Sequence, residues 1–114
     1  MRRARSAAAR LAETAPVFAA LGDATRLRIV ARLCESGPLS IARLTEGGDV
    51  SRQAVTKHLR ALEEAGLVRS SRAGRERVWE LRTARLREVQ RHLDRISGQW
   101  NVALERLRSL VEER

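Results

Sequence analysis

The chain has one cysteine, Cys34, so no disulfide can close within it and no cysteine-rich zinc cluster can form within one copy. Two histidines, His58 and His92, leave little for a metal site or a catalytic triad. Phe18, Trp79 and Trp100 are the only aromatic residues, and there is no tyrosine. Proteins that bind single-stranded nucleic acid stack bases on several aromatic rings, so that class is disfavoured. Only Pro16 and Pro38 interrupt the backbone, and the best apolar run, Ala15 to Leu21, falls far short of the roughly 18 residues of a membrane helix. There is also no glycine-rich phosphate loop, no pair of acids in a cleft pattern and no Ser/His/Asp arrangement. An enzyme is not expected, and neither is a cofactor.

What is present is positive charge: 23 Lys and Arg against 14 Asp and Glu, a net +9 over 114 residues. That length makes a single domain, and 43% hydrophobic residues are enough for a core. Excess positive charge favours polyanions and says nothing about fold. Lys57 is the only lysine; every other basic residue is arginine. Guanidinium forks suit phosphates, although arginine and alanine richness equally reflects a codon-biased genome. With aromatics so scarce, double-stranded DNA is the better polyanion, and a cytoplasmic location is expected. The opening MRRARSAAARLAETA reads as a helical arm that packs on the domain or touches phosphates. A transit peptide is its second reading, whereas Arg10 and Glu13 interrupt any secretory apolar stretch.

Along the chain, Thr14 followed by Ala15-Pro16 predicts a helix start, ending at Gly22. Asp23 then caps a helix over Ala24 to Glu35, with Leu27, Val30, Leu33 and Cys34 assigned to its buried face. Ser36-Gly37-Pro38 stops it, and a short helix from Ser40 to Glu46 follows, burying Ile41 and Leu44. After Gly47-Gly48-Asp49, Ser51 caps a helix from Arg52 to Ala65, closed by Gly66. Leu67 to Arg72 and Glu76 to Arg82 form a β-hairpin around Ala73-Gly74-Arg75, and a long helix runs from Thr83 to about Glu113.

On the helix from Arg52, a rotation of 100° per residue brings Val55, Leu59 and Leu62 to one face. Gln53, Thr56, Lys57 and Arg60 form the opposite stripe, free of acids until Glu63 and Glu64. A short helix, a glycine turn and a second helix exposing polar donors in its first turns is helix-turn-helix grammar, because a major groove admits one helix and its N-terminal residues reach base edges. Gln53 suits bidentate pairing with adenine, Lys57 with guanine, and Thr56 a thymine methyl or a phosphate. Ser51, Arg52 and Arg60 lie at the margins, the arginines facing phosphates. Arg72, Arg75 and Arg77 surround the hairpin tip, set to lie along the backbone or enter a minor groove; a charged edge that blocks aggregation is the plainer reading.

Three blocks now carry a resemblance: FAALGDATRLRIVARL from Phe18 to Leu33, VSRQAVTKHLRALEEAGLV from Val50 to Val68, and GRERVWEL from Gly74 to Leu81. In order and spacing they resemble the ArsR/SmtB family of bacterial winged helix-turn-helix repressors. The resemblance implies a mainly α fold with a two-stranded β-hairpin wing and a long terminal dimerisation helix. Residues 16–82 would be the DNA-binding core, 1–15 an arm and 83–114 the dimerisation helix. It also implies a homodimer on inverted-repeat operators, usually repressing and released by an effector. SRQAVTKHL matches the family's recognition helix and so supports Ser51, Arg52, Gln53, Thr56 and Lys57 as DNA contacts.

The family's metal chemistry does not carry over. Where metal-sensing members place a Cys-x-Cys pair, this chain has Ser40-Ile41-Ala42, without the thiolates that hold a soft metal. On the last helix only His92 and Asp94 are offered, with no second histidine. No metal is expected, and the effector is a non-metal or unknown small molecule. Cys34 is read as a buried, inert thiol, and His58 as a half-buried packing or phosphate-contacting residue.

Leu86, Val89, Leu93, Ile96, Trp100, Ala103, Leu107 and Leu110 step alternately by three and four, an unbroken heptad seam reinforced by Leu104 and Val111. A helix of this length, about 46 Å at 1.5 Å per residue, exceeds what one small domain covers, so the seam is assigned to a homodimer, with packing onto the N-terminal helices compatible with it. Gly98, off the seam, marks a bend or a joint. Two other functions stay open: a sequence-blind architectural DNA binder, and a module whose heptad helix recruits another protein.

Overall fold

Three of the helices begin under a side chain that caps them. The computed structural model describes residues 6–113; the first arginines of the expected arm, Arg2, Arg3 and Arg5, lie outside them. Helix α1 spans Ala7–Ala12 and α2 spans Ala15–Leu21, with Pro16 in its first turn, where a missing N–H costs nothing. Helix α3, Ala24–Ser36, starts under Asp23, whose carboxylate accepts from the Arg26 amide at 3.1 Å. Ser40 caps α4, Ile41–Thr45, through the Arg43 amide at 3.2 Å. Ser51 caps α5, Arg52–Glu64, through the Ala54 amide at 3.1 Å.

Helix α5 ends in a Schellman motif: the Leu67 amide donates to the Leu62 carbonyl and the Gly66 amide to that of Glu63. The motif needs a left-handed residue, and Gly66 has φ 79°. Leu62 and Leu67, the pair that this turn brings together, are both fully buried.

Strands β2, Val68–Ala73, and β3, Glu76–Leu81, form the expected hairpin, and α6 runs unbroken from Thr83 to Glu112, straight through Gly98. A strand that the sequence reading did not contain joins them. Leu39–Ser40 forms β1, antiparallel to β3 with Leu39 opposite Trp79, so the sheet has three strands in the order β1-β3-β2. The wing is thereby stitched to the start of α4.

The core gathers Val17 and Ala20 of α2, Ile29 and Leu33 of α3, Leu44 of α4, Val55, Leu59 and Leu62 of α5, and Leu67, Val68, Trp79 and Val89 from the wing and α6. Two assignments on α3 are corrected here. Leu27 is 51% exposed and Cys34 is exposed, while Ile29 and Leu33 face the core. Apolar residues spread over more than half the circumference of α3, so periodicity alone did not single out the sector that packs. Ile41 is half-buried, whereas Leu44 is buried as expected.

Candidate nucleic-acid interface

Helix α5 divides cleanly. Val55, Leu59 and Leu62 are buried, and on the other side Arg52, Gln53, Lys57 and Arg60 are exposed, as is the capping Ser51. Thr56 differs in detail. Its hydroxyl donates to the Arg52 carbonyl at 2.8 Å and the residue is half-buried, so its methyl group is the part left to make a contact.

Polar contacts hold this helix and its neighbour α4 in place, and sequence reading found only the Ser51 cap. Arg26 on α3 donates through Nε to His58 Nδ1 on α5 at 3.2 Å. His58 Nδ1 is the acceptor in this contact. Asp23 Oδ1 lies 4.0 Å from the same nitrogen. The Arg26 amide holds the Asp23 carboxyl below its ordinary value of 3.8; partial desolvation opposes this, and the charges of His58 and Arg26 add to it. The half-buried His58 is thus a partner of Arg26, and a separation of 32 positions hid that pairing from sequence reading. Arg32 of α3 donates through Nη1 to the Leu44 carbonyl at 2.9 Å, satisfying an acceptor at the C-terminal end of α4 just before the turn. A cation at a helix C-terminus also suits the helix dipole.

The wing changes character along one face. Val68 pairs with Leu81, Ser70 with Trp79 and Arg72 with Arg77, so the same face is core at its root and cationic at its tip. Gly74 has φ 66° while Arg75 does not have a positive φ, the pattern of a two-residue type II′ turn. Arg72, Arg75 and Arg77 are all exposed, and Arg77 Nη1 donates to Ser70 Oγ at 3.1 Å. Like charges directly opposed across a strand pair destabilise it, so the Arg72–Arg77 pair is not there for stability. The opposite face carries an ordinary ion pair, Arg69 Nε to Glu80 Oε1 at 2.7 Å.

The seam on α6 splits in two. Val89 is 5% exposed and sits in the chain's own core, with Leu86 half-buried against it. The assignment of Val89 to a partner chain is thereby corrected: the first turns of α6 anchor the helix to its own domain. From Leu93 onward the picture reverses. Leu93, Trp100, Leu107 and Leu110 are large and exposed, Ala103 is exposed, and Ile96 is half-buried.

Among the described residues, no group of three His, Cys, Asp or Glu side chains is placed to hold a metal ion. Ser40, at the position of the family's first thiolate, is occupied as the α4 cap. His92 is half-buried and Asp94 exposed. No helix of the described residues is long and apolar enough to cross a membrane.

A family model described as a helix-turn-helix domain matches residues 21–71, the stretch from the end of α2 into β2. The HTH-type transcriptional regulator Rv2034 of Mycobacterium tuberculosis is 40% identical over 93 residues, covering 82% of this chain and 83% of that protein. Among solved structures, an ArsR-like transcriptional regulator from Rhodococcus sp. RHA1 superposes with a TM-score of 0.75 at 40% identity, over 88% of this chain and 93% of that one. The homodimeric winged helix-turn-helix DNA-binding domain Mb0332 from Mycobacterium bovis shares the fold, with a TM-score of 0.64 at 22% identity over 87% of this chain and 90% of that one.

Proposed function

Since the chain belongs to the ArsR family of winged helix-turn-helix transcriptional regulators, we propose that it is a homodimeric repressor that reads an inverted-repeat operator in double-stranded DNA and is released by an effector other than a metal ion. The observation that carries this reading is the two-sided α5: Val55, Leu59 and Leu62 are locked in the core while Arg52, Gln53, Lys57 and Arg60 stand in solvent at its N-terminal turns. A helix so held enters a major groove with its first turns against base edges. Gln53 and Lys57 read bases, Thr56 offers its methyl to a thymine, and Ser51, Arg52 and Arg60 meet the backbone. Arg72, Arg75 and Arg77 on the wing add phosphate or minor-groove contacts.

Dimerisation supplies the symmetry. The exposed apolar residues of α6 support it, as does the homodimeric state of the Mb0332 domain, which shares the fold. A two-fold axis sets two α5 helices about one turn of DNA apart, roughly 34 Å, which a pseudo-palindrome matches. Repression follows from occupying promoter DNA in the cytoplasm. An effector relieves it only by binding the off-DNA arrangement more tightly. The absence of thiolates at Ser40-Ile41-Ala42 supports an effector that is not a soft metal.

Fluorescence anisotropy tests the reading: DNA from directly upstream of the gene is titrated against scrambled competitor, with chelator and with added zinc. Competitor-resistant binding that ignores metal is expected. Equal binding to both DNAs replaces the proposal with a sequence-blind architectural role, or places the operator elsewhere. A response to zinc returns His92 and Asp94 to consideration.

A further inference from the structure

Helix α3 carries a second apolar stripe that its own chain leaves bare. Besides the core-facing Ile29 and Leu33, the residues Ala24, Leu27, Ala31 and Cys34 are exposed and adjoin the half-buried Val30. At 100° per residue they fall within an arc of about 120°, free of charge, and they run for about 15 Å at 1.5 Å per residue. The distal part of α6 is bare too. Every side chain from Ser97 to Glu113 is exposed, among them Trp100 at 64% and Leu110 at 63%.

We infer that these two surfaces belong together across the dimer: the distal half of α6, from Trp100 to Val111, packs on the Ala24–Leu27–Ala31–Cys34 stripe of a second copy. This rests on the homodimer proposed above and goes beyond it in naming α3 as a dimer surface. A chain cannot satisfy its own stripe in this way. Val89 pins the start of α6 in the core, and the helix continues unbroken, so residues past Ile96 extend about 24 Å from their own domain. Both patches are about three turns long. Trp100 to Val111 spans about 16 Å, matching the stripe. Ala24 and Ala31 leave the α3 backbone open to close approach, while Leu104, Leu107, Leu110 and Val111 supply bulk for the space. A two-fold axis makes the contact twice, covering both patches on both chains with one operation. Contiguous apolar surface of this kind is uncommon on a protein that stays monomeric.

Cys34 reports on this contact directly in the full-length protein. Sedimentation first locates the association range, and labelling of Cys34 by Ellman's reagent is then timed above and below it. Labelling at least tenfold slower in the dimer is expected, with Leu107→Glu restoring the monomer rate. Leu27→Glu, at a half-exposed position where folding tolerates it, is expected to weaken dimerisation at least tenfold. To identify the occupant, Leu104→Cys, Leu107→Cys and Leu110→Cys are each oxidised with copper phenanthroline. At least one gives a covalent dimer that disappears when Cys34→Ser is added. A dimer whose Cys34 labels at the monomer rate, or whose cross-links are indifferent to Cys34→Ser, overturns this inference and leaves the repressor reading standing. A chain that is monomeric at all concentrations overturns the homodimer and this contact together.

Discussion

Arg26 donates through Nε to His58 Nδ1 at 3.2 Å, joining the first turn of α3 to the middle of α5. The same arginine's amide is held by the Asp23 cap at 3.1 Å, so one short polar cluster fixes the start of one helix and the roll of another. Since the face of α5 opposite the core is the one proposed to meet DNA, its roll decides which side chains reach base edges.

The cap half of that cluster has a pH signature. Asp23 has a lowered pKa in the folded chain, so the stability that it contributes is present above its ordinary 3.8 and is lost as pH falls through the lower folded value. Asp23→Ala is expected to melt at a lower temperature than the parent at pH 7. The gap closes as pH drops below that range; thermal melts across acid pH check this.

The Ser51 cap links stability with recognition. Ser51→Ala removes the acceptor of the Ala54 amide and should cost about 1 kcal/mol in urea unfolding, with weaker operator binding because the frayed turn holds Arg52 and Gln53. Ser51→Asp should restore stability without restoring DNA affinity, its charge facing phosphate.

Base readout and phosphate contact separate by competitor. Gln53→Ala and Lys57→Ala should each lose about 1–3 kcal/mol on the operator and little on random DNA, measured by anisotropy at one fixed salt concentration. Equal losses on both DNAs would contradict base reading.

The opposed arginines of the wing make the reverse prediction. Arg72→Ala should weaken binding to every sequence alike and lower the salt slope, log K against log salt, by about one. Because Arg72 faces Arg77 across the strands, the same change should leave the melting temperature equal or higher. A fall in melting temperature would mean that the pair is held by something other than DNA.

Much of the framework was legible because it is written locally. Asp23 and Ser51 each cap within three residues, Gly66 closes α5, and the 3.6-residue period separates Val55, Leu59 and Leu62 from Gln53, Lys57 and Arg60. What escaped was non-local. Strand β1 is two residues long and is a strand only because β3 lies beside it. Leu27 and Cys34 looked like core because α3 is apolar on two adjoining sectors, and only packing against α2 and α5 chooses between them.

By itself, then, the sequence determined the helix limits, the hairpin turn, the basic stripe and the family to which the chain belongs, because caps, turns and periodicity act over a few residues. The tertiary structure alone decided that Arg26 grips His58, that Arg32 closes α4, that Val89 belongs to its own core, and that α3 and the distal half of α6 are left uncovered. Those outcomes depend on which surfaces meet once the chain has collapsed, and residues 32 apart in sequence carry no local mark of the contact that burial forces on them.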